Sequence, residues 1–70
     1  MRTELHYILN ERRYRAASGE TLGRENGVTP NGNPMNGQWV YRNAAGEMVD
    51  FNQYRNDLES RHHLTLHGGE

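Results

Sequence analysis

The four residues Asn43-Ala44-Ala45-Gly46 constrain this chain more tightly than any others. Asparagine suits the first position of a type I turn, and a glycine at the last can take positive φ and form the bulge that restores strand twist. On either side lie residues that favour strands, Trp39-Val40-Tyr41-Arg42 before the turn and Glu47-Met48-Val49 after it. The pattern predicts a β-hairpin over residues 38–51. Side chains alternate along a strand, so Trp39 and Tyr41 share one face while Val40 and Arg42 share the other. One small core cannot bury both sets. Either one face meets a partner, or Trp39 and Tyr41 are the core and Val40 stays at the surface.

Asp50 is expected to stop the second strand and start a helix that runs to Arg61. Its carboxylate can cap the first-turn amides with Gln53 reaching back, and Val49 can pack on Tyr54 as a hydrophobic staple. Phe51, Tyr54 and Leu58 then line one face, and Asp57 can pair with Arg61. Beyond Arg61, Leu64 and Leu66 alternate with His63, Thr65 and His67, which fits a short strand or a frayed helix end.

Residues 3–18 read as a first helix. Thr3 can cap it, Glu4 sits in its first turn, Gly19 can end it, and Leu5, Ile8, Leu9 and Ala16 fall at helical spacing. Glu11 can pair with Arg15 one turn on. The rival is a strand, because Leu5, Tyr7 and Leu9 also alternate with polar residues and Asn10-Glu11 can turn the chain. An internal echo bears on this choice. Residues 14–20 and 41–47 share Tyr, Arg, Ala, Gly and Glu at matching positions, and a structural echo would make residues 12–22 a second hairpin.

Residues 23–37 hold four glycines, two prolines and four asparagines, types that favour turns, and predict a long loop. Loops of this length are commonly functional or disordered. Within and before it, Thr21-Leu22-Gly23-Arg24-Glu25-Asn26-Gly27-Val28-Thr29 resembles the first helix and turn of a helix-turn-helix motif, with Gly27 at the turn and the later hairpin as a wing. That resemblance implies DNA binding. It covers nine residues, and the following Pro30-Asn31-Gly32-Asn33-Pro34 has no capacity for a recognition helix.

A chain of 70 residues builds one domain, spanning residues 1–70, and a core this small rarely supplies more than about 3–5 kcal/mol without a staple. There is no cysteine, so disulfides and thiolate metal sites are excluded. Self-association as a homodimer or a protein partner is the favoured remedy. No aliphatic run exceeds two residues, as at Ile8-Leu9, so neither a membrane span nor a signal-peptide core is present, and a soluble, cytoplasmic protein is expected. The net charge of −1 argues against sequence-independent phosphate binding. The charge is uneven, however: residues 1–24 carry five arginines against three glutamates, and every cation in the chain is an arginine.

Chemistry is sparse. His63 and His67 share a face at a spacing of four, and Glu59 would join them if the helix continued, a set able to hold zinc. A bare histidine pair beside a glycine-rich tail is more often solvated, so no metal and no cofactor is expected. Nothing is spaced for acid-base or nucleophilic catalysis, and no enzyme is expected. The residues best suited to an interface are Trp39, Tyr41, Arg42, Tyr54 and Arg55, since Tyr, Trp and Arg most often anchor interfaces. The sequence thus points to a small α+β domain in the order helix, long loop, hairpin, amphipathic helix. Its expected role is a non-enzymatic protein-binding or regulatory module, an accessory factor or inhibitor, with a winged-helix-like DNA-binding protein as the alternative.

Overall fold

The hairpin about Asn43 to Gly46 forms, and its construction occurs once earlier in the chain. In the computed structural model, which describes residues 2–28 and 31–68, Gly46 N–H donates to the Asn43 carbonyl (2.9 Å) and Asn43 N–H to that of Glu47 (3.0 Å). Twenty-seven residues upstream, Gly19 N–H donates to the Ala16 carbonyl (3.0 Å) and Ala16 N–H to that of Glu20 (2.8 Å). Both glycines take positive φ, 87° at Gly46 and 107° at Gly19. The echo between residues 14–20 and 41–47 is therefore structural, and Tyr14 and Tyr41 lie buried at equivalent places before the two turns.

The strands are β1 (Thr3–Ile8), β2 (Arg13–Ala16), β3 (Thr21–Val28), β4 (Pro34–Arg42), β5 (Met48–Asn52) and β6 (Leu64–His67), with one helix, α1 (Arg55–His62), before β6. They form one sheet in the order β5-β4-β3-β2-β1-β6. The first five make an antiparallel meander, and β6 returns to pair in parallel with β1. Directly paired residues share a face, so the register Leu66↔Leu5↔Ala16, with Tyr14↔Leu22↔Tyr41, lays an apolar band across one side. Leu58 of α1 and Leu64 complete this inner face, where Leu5, Leu22, Leu58 and Leu64 have no exposed surface.

The crossover dictates the shape of the sheet. Laid flat, six strands would place β5 and β6 about 24 Å apart, while eight helical residues advance only about 12 Å. Yet α1 touches both edge strands. The sheet must curl around the helix, and the molecular extents of 31 × 26 × 23 Å agree with a curled rather than a flat sheet.

This architecture corrects the α+β expectation. Residues 3–18 are the β1-β2 hairpin and not a helix: Leu5 and Tyr7 alternate inward, Leu9 lies exposed in the turn, and Glu11 meets Arg15 across that turn at 2.6 Å. The two-residue period prevailed because it buries Leu5 and Tyr14 together, which an isolated short helix does not achieve. The long loop over 23–37 is largely strand as well, apart from residues 29–30, which lie outside the described residues. Gly23 lets β2 approach β3, since a Cβ there would sit 2.8 Å from that of Arg13. Gly27 marks a register shift in β3, and the Asn26 side chain accepts from Gly37 N–H (2.6 Å). With Thr21–Val28 a strand, the helix-turn-helix resemblance has no helix behind it, and its Thr29 lies outside the described residues.

The C-terminal amphipathic helix is also corrected. Asp50 and Phe51 belong to β5, and α1 starts at Arg55 after an extended Tyr54, without a side-chain cap. Only Leu58 of α1 is buried, and Arg61 reaches Asp50 (3.2 Å) while Arg55 pairs with Glu59 (3.0 Å). The β4 strand buries residues on both faces: Tyr41 inward, and Val40 outward between its register neighbours Gly23 and Phe51. Among the described residues no helix is long and apolar enough to cross a membrane.

The paired turns yield a stability test. Gly46→Ala meets no neighbouring atom, so its cost is the positive φ alone, about 1–2 kcal/mol. Gly19→Ala adds a Cβ 3.0 Å from that of Ala44 and is expected to cost more, with Ala44→Gly recovering the difference in urea melts.

Candidate functional site

The structure brings together three of the five residues singled out from sequence. Trp39, Tyr54 and Arg55 meet at one rim of the inner face. Tyr41 lies elsewhere, buried with its ring 4.8 Å from that of His62, and burial, with Glu20 nearby, pushes its phenol above the ordinary value. Arg42 is on the outer face, where its guanidinium forks onto Glu25 at 2.8 and 2.9 Å. A single strand with two faces cannot present all of Trp39, Tyr41 and Arg42 to one partner.

Around Trp39 the chain assembles aromatic rings and guanidinium groups. Arg24 opposes Trp39 in the β3-β4 register, and its Cζ lies 5.4 Å from the indole centroid. Arg55, from the first turn of α1, places its Cζ 5.6 Å from the same ring and 5.7 Å from Tyr14. These separations are within cation-π range. Arg55 is anchored twice more, donating to the Tyr14 hydroxyl (3.1 Å) and to Glu59 (3.0 Å). Tyr14 in turn meets Tyr7 edge to face at 5.1 Å. The result is a row of Tyr7, Tyr14 and Trp39, with buried Tyr14 between two half-buried rings.

Two open depressions flank this row, and Arg24 and Trp39 line both. One is completed by Asn36, Gly37, Gln53, Tyr54, Arg55 and Asn56, the other by Tyr7 and Arg12. No carboxylate, imidazole or aliphatic hydroxyl lines either one. Of the three arginines, only Arg55 has a carboxylate within ion-pair distance among the described residues. A chain of net charge −1 thus concentrates uncompensated positive charge on an aromatic surface.

Sequence reading missed Arg24, Arg12, Tyr7 and Tyr14, because the first was assigned to a loop and the others to a helix. The available signal was the excess of five arginines over three glutamates in residues 1–24. The metal candidates also separate. His63 sits in the left-handed conformation that ends α1, and Glu59 is paired with Arg55, whereas His67 lies on β6 beside Glu4 and His6. Compared with protein-family models, curated proteins and solved structures, the chain shows no match to any.

Two half-buried carboxylates away from this surface contribute to the response to acid. The Arg42 fork is the main influence holding Glu25 below its ordinary 4.5. Burial pushes Asp50 upward, but hydrogen bonds from His62, the Phe51 amide and Arg61 outweigh it and hold Asp50 below its ordinary 3.8. Carboxyls lowered on folding stabilise the fold fully above their ordinary values, and that contribution is lost as pH falls through the lower folded ones. Acid titration of stability should therefore show its loss below 4.5. Glu25→Gln should cost about 1 kcal/mol at neutral pH and shrink that acid-side loss.

Proposed function

We propose that this protein is a non-enzymatic binding module that captures an acidic segment of another protein on the surface centred on Trp39. The observation that carries this reading is the half-exposed indole with the guanidinium groups of both Arg24 and Arg55 within 5.4 and 5.6 Å of its centroid. Trp and Arg are the residues most enriched among the energetic anchors of interfaces, and here the ring is fixed before any partner arrives. Arg24 and Arg12, with no carboxylate in ion-pair distance among the described residues, supply complementarity to Asp or Glu side chains, and exposed Tyr54 extends the contact area. The absence of general bases and nucleophiles from the lining favours recognition over chemistry. Two copies of so basic a surface repel, so a homodimer would use a different face. A cytoplasmic partner suits the cysteine-free composition.

Nucleic acid is the second reading, because an indole flanked by arginines also stacks bases. The two separate in one experiment. Trp39 is the sole tryptophan, so its emission reports directly on the surface. Titration with acidic peptides should shift that emission, and Arg24→Gln or Arg55→Gln should weaken binding by about tenfold, or about 1.4 kcal/mol. A response to single-stranded oligonucleotides alone, with steep weakening in salt, would replace the protein reading with the nucleic-acid one.

A further inference from the structure

We propose that Glu4, His6 and His67 form a binding site for a late first-row divalent metal ion, with Zn²⁺ the leading candidate, that fastens β6 to β1. The site is on the outer face, away from Trp39. Glu4 and His6 are two apart on β1 and so point to the same side, and the parallel register sets His67 directly against His6. The donor atoms of the three side chains all lie within 4.8 Å of one another. Nε2 of His67 is 3.0 Å from Oε1 of Glu4, and the two imidazoles stack with centroids 4.7 Å apart and an interplanar angle of 17°. The backbone thus gathers three ligands, one carboxylate and two imidazoles, before a metal arrives.

The donor set selects the ion. Imidazoles suit zinc, nickel and copper, while magnesium and calcium prefer oxygen alone. Zinc bonds of about 2.0–2.1 Å require donor atoms roughly 3.3 Å apart, so donors as far as 4.8 Å from one another close by up to about 1.5 Å, and the Glu4–His67 contact, already 3.0 Å, gives way to the metal. All three are exposed and free to rotate into place, and three protein ligands leave a further position for water or another group. The pair read from sequence, His63 with His67, is replaced: the sheet register supplies the partners of His67, and those partners are more than sixty residues away in sequence.

The consequence is structural. Strand β6 has four residues and β1 as its one strand neighbour, and a metal held from both strands ties the end of the crossover to the start of the sheet. A metal that binds the folded chain and not the unfolded one raises stability by mass action.

The test is a titration of the full chain with Zn²⁺ or Ni²⁺, followed by calorimetry and thermal melting. The expected result is saturable one-to-one binding with a rise in Tm. His67→Ala should weaken binding by at least about tenfold, the lower end of what disturbing a metal site costs, while His63→Ala leaves it unchanged. Should His67→Ala fail to fold, Cu²⁺ on the unaltered chain gives a second readout, an electron paramagnetic resonance spectrum with hyperfine coupling to two imidazole nitrogens. The proposal is overturned if His63→Ala weakens binding as much as His67→Ala, if copper reports one nitrogen, or if no saturable binding occurs up to millimolar metal.

Discussion

Everything in this molecule depends on α1 crossing the inner face with Leu58 buried beneath it. The crossover is short, and the sheet it spans is six strands wide, so the only geometry that joins β5 to β6 is a curled one. Curling turns the apolar band of Leu5, Tyr14, Leu22 and Tyr41 into a concave core that a single leucine of α1 can close. The closure is reinforced at its far end, where Arg2 donates to Leu64 O and Thr65 Oγ1 at 2.7 Å each and Thr3 N–H donates to the His63 carbonyl (2.8 Å). These bonds bring the C-terminal strand back to the first. A chain without disulfides gains its closure in this way, through a parallel seam of high sequence separation.

The same helix positions the candidate site. Arg55 precedes Leu58 by three residues, so burying Leu58 presents Arg55 on the neighbouring face, over Tyr14 and Trp39. The candidate surface is therefore a by-product of core closure, packed on the core at Tyr14 and open at the rim. Arg24 differs in kind: it lies by the indole and opposite Trp39 in the sheet, with no carboxylate in ion-pair distance among the described residues. An anchored cation beside an unsatisfied one is a suitable arrangement for a charged partner, because ordering costs have been met before contact.

Sequence reading succeeded where the physics is local. Asn43 and Gly46 specify their turn by side-chain and backbone chemistry within five residues, and Asn43 Oδ1 accepts from the amides of Ala45 and Glu47 at 3.0 Å, as such a turn requires. It failed where strands answer to distant partners. Leu5 and Ile8 fit a helix as well as a strand until Ala16 and Leu66 flank Leu5 in the sheet. Gly23 reads as a loop breaker until Arg13 is seen packed against it. Asp50 has the chemistry of a helix cap, yet it serves as a strand residue that receives His62 and Arg61 from the helix it does not start. Trp39, Tyr54 and Arg55 stood out by residue type and do lie together, whereas Arg24 became visible only through the β3-β4 register. The repeated Tyr-Arg turn at residues 14–20 and the alternation of Leu5 and Tyr7 with polar residues were the local signs that the N-terminal third is β-structure.

The parallel seam of β6 on β1 is what the curl and the meeting of Arg55 with Trp39 both require. Nuclear Overhauser spectroscopy of the full chain tests it directly. The structure predicts backbone contacts in the register Thr3↔Leu64 and Leu5↔Leu66, together with side-chain contacts from Arg55 to the Trp39 indole. Sequential helical contacts through residues 3–18, or β1 amides that exchange as an open edge with no contact to β6, would contradict it.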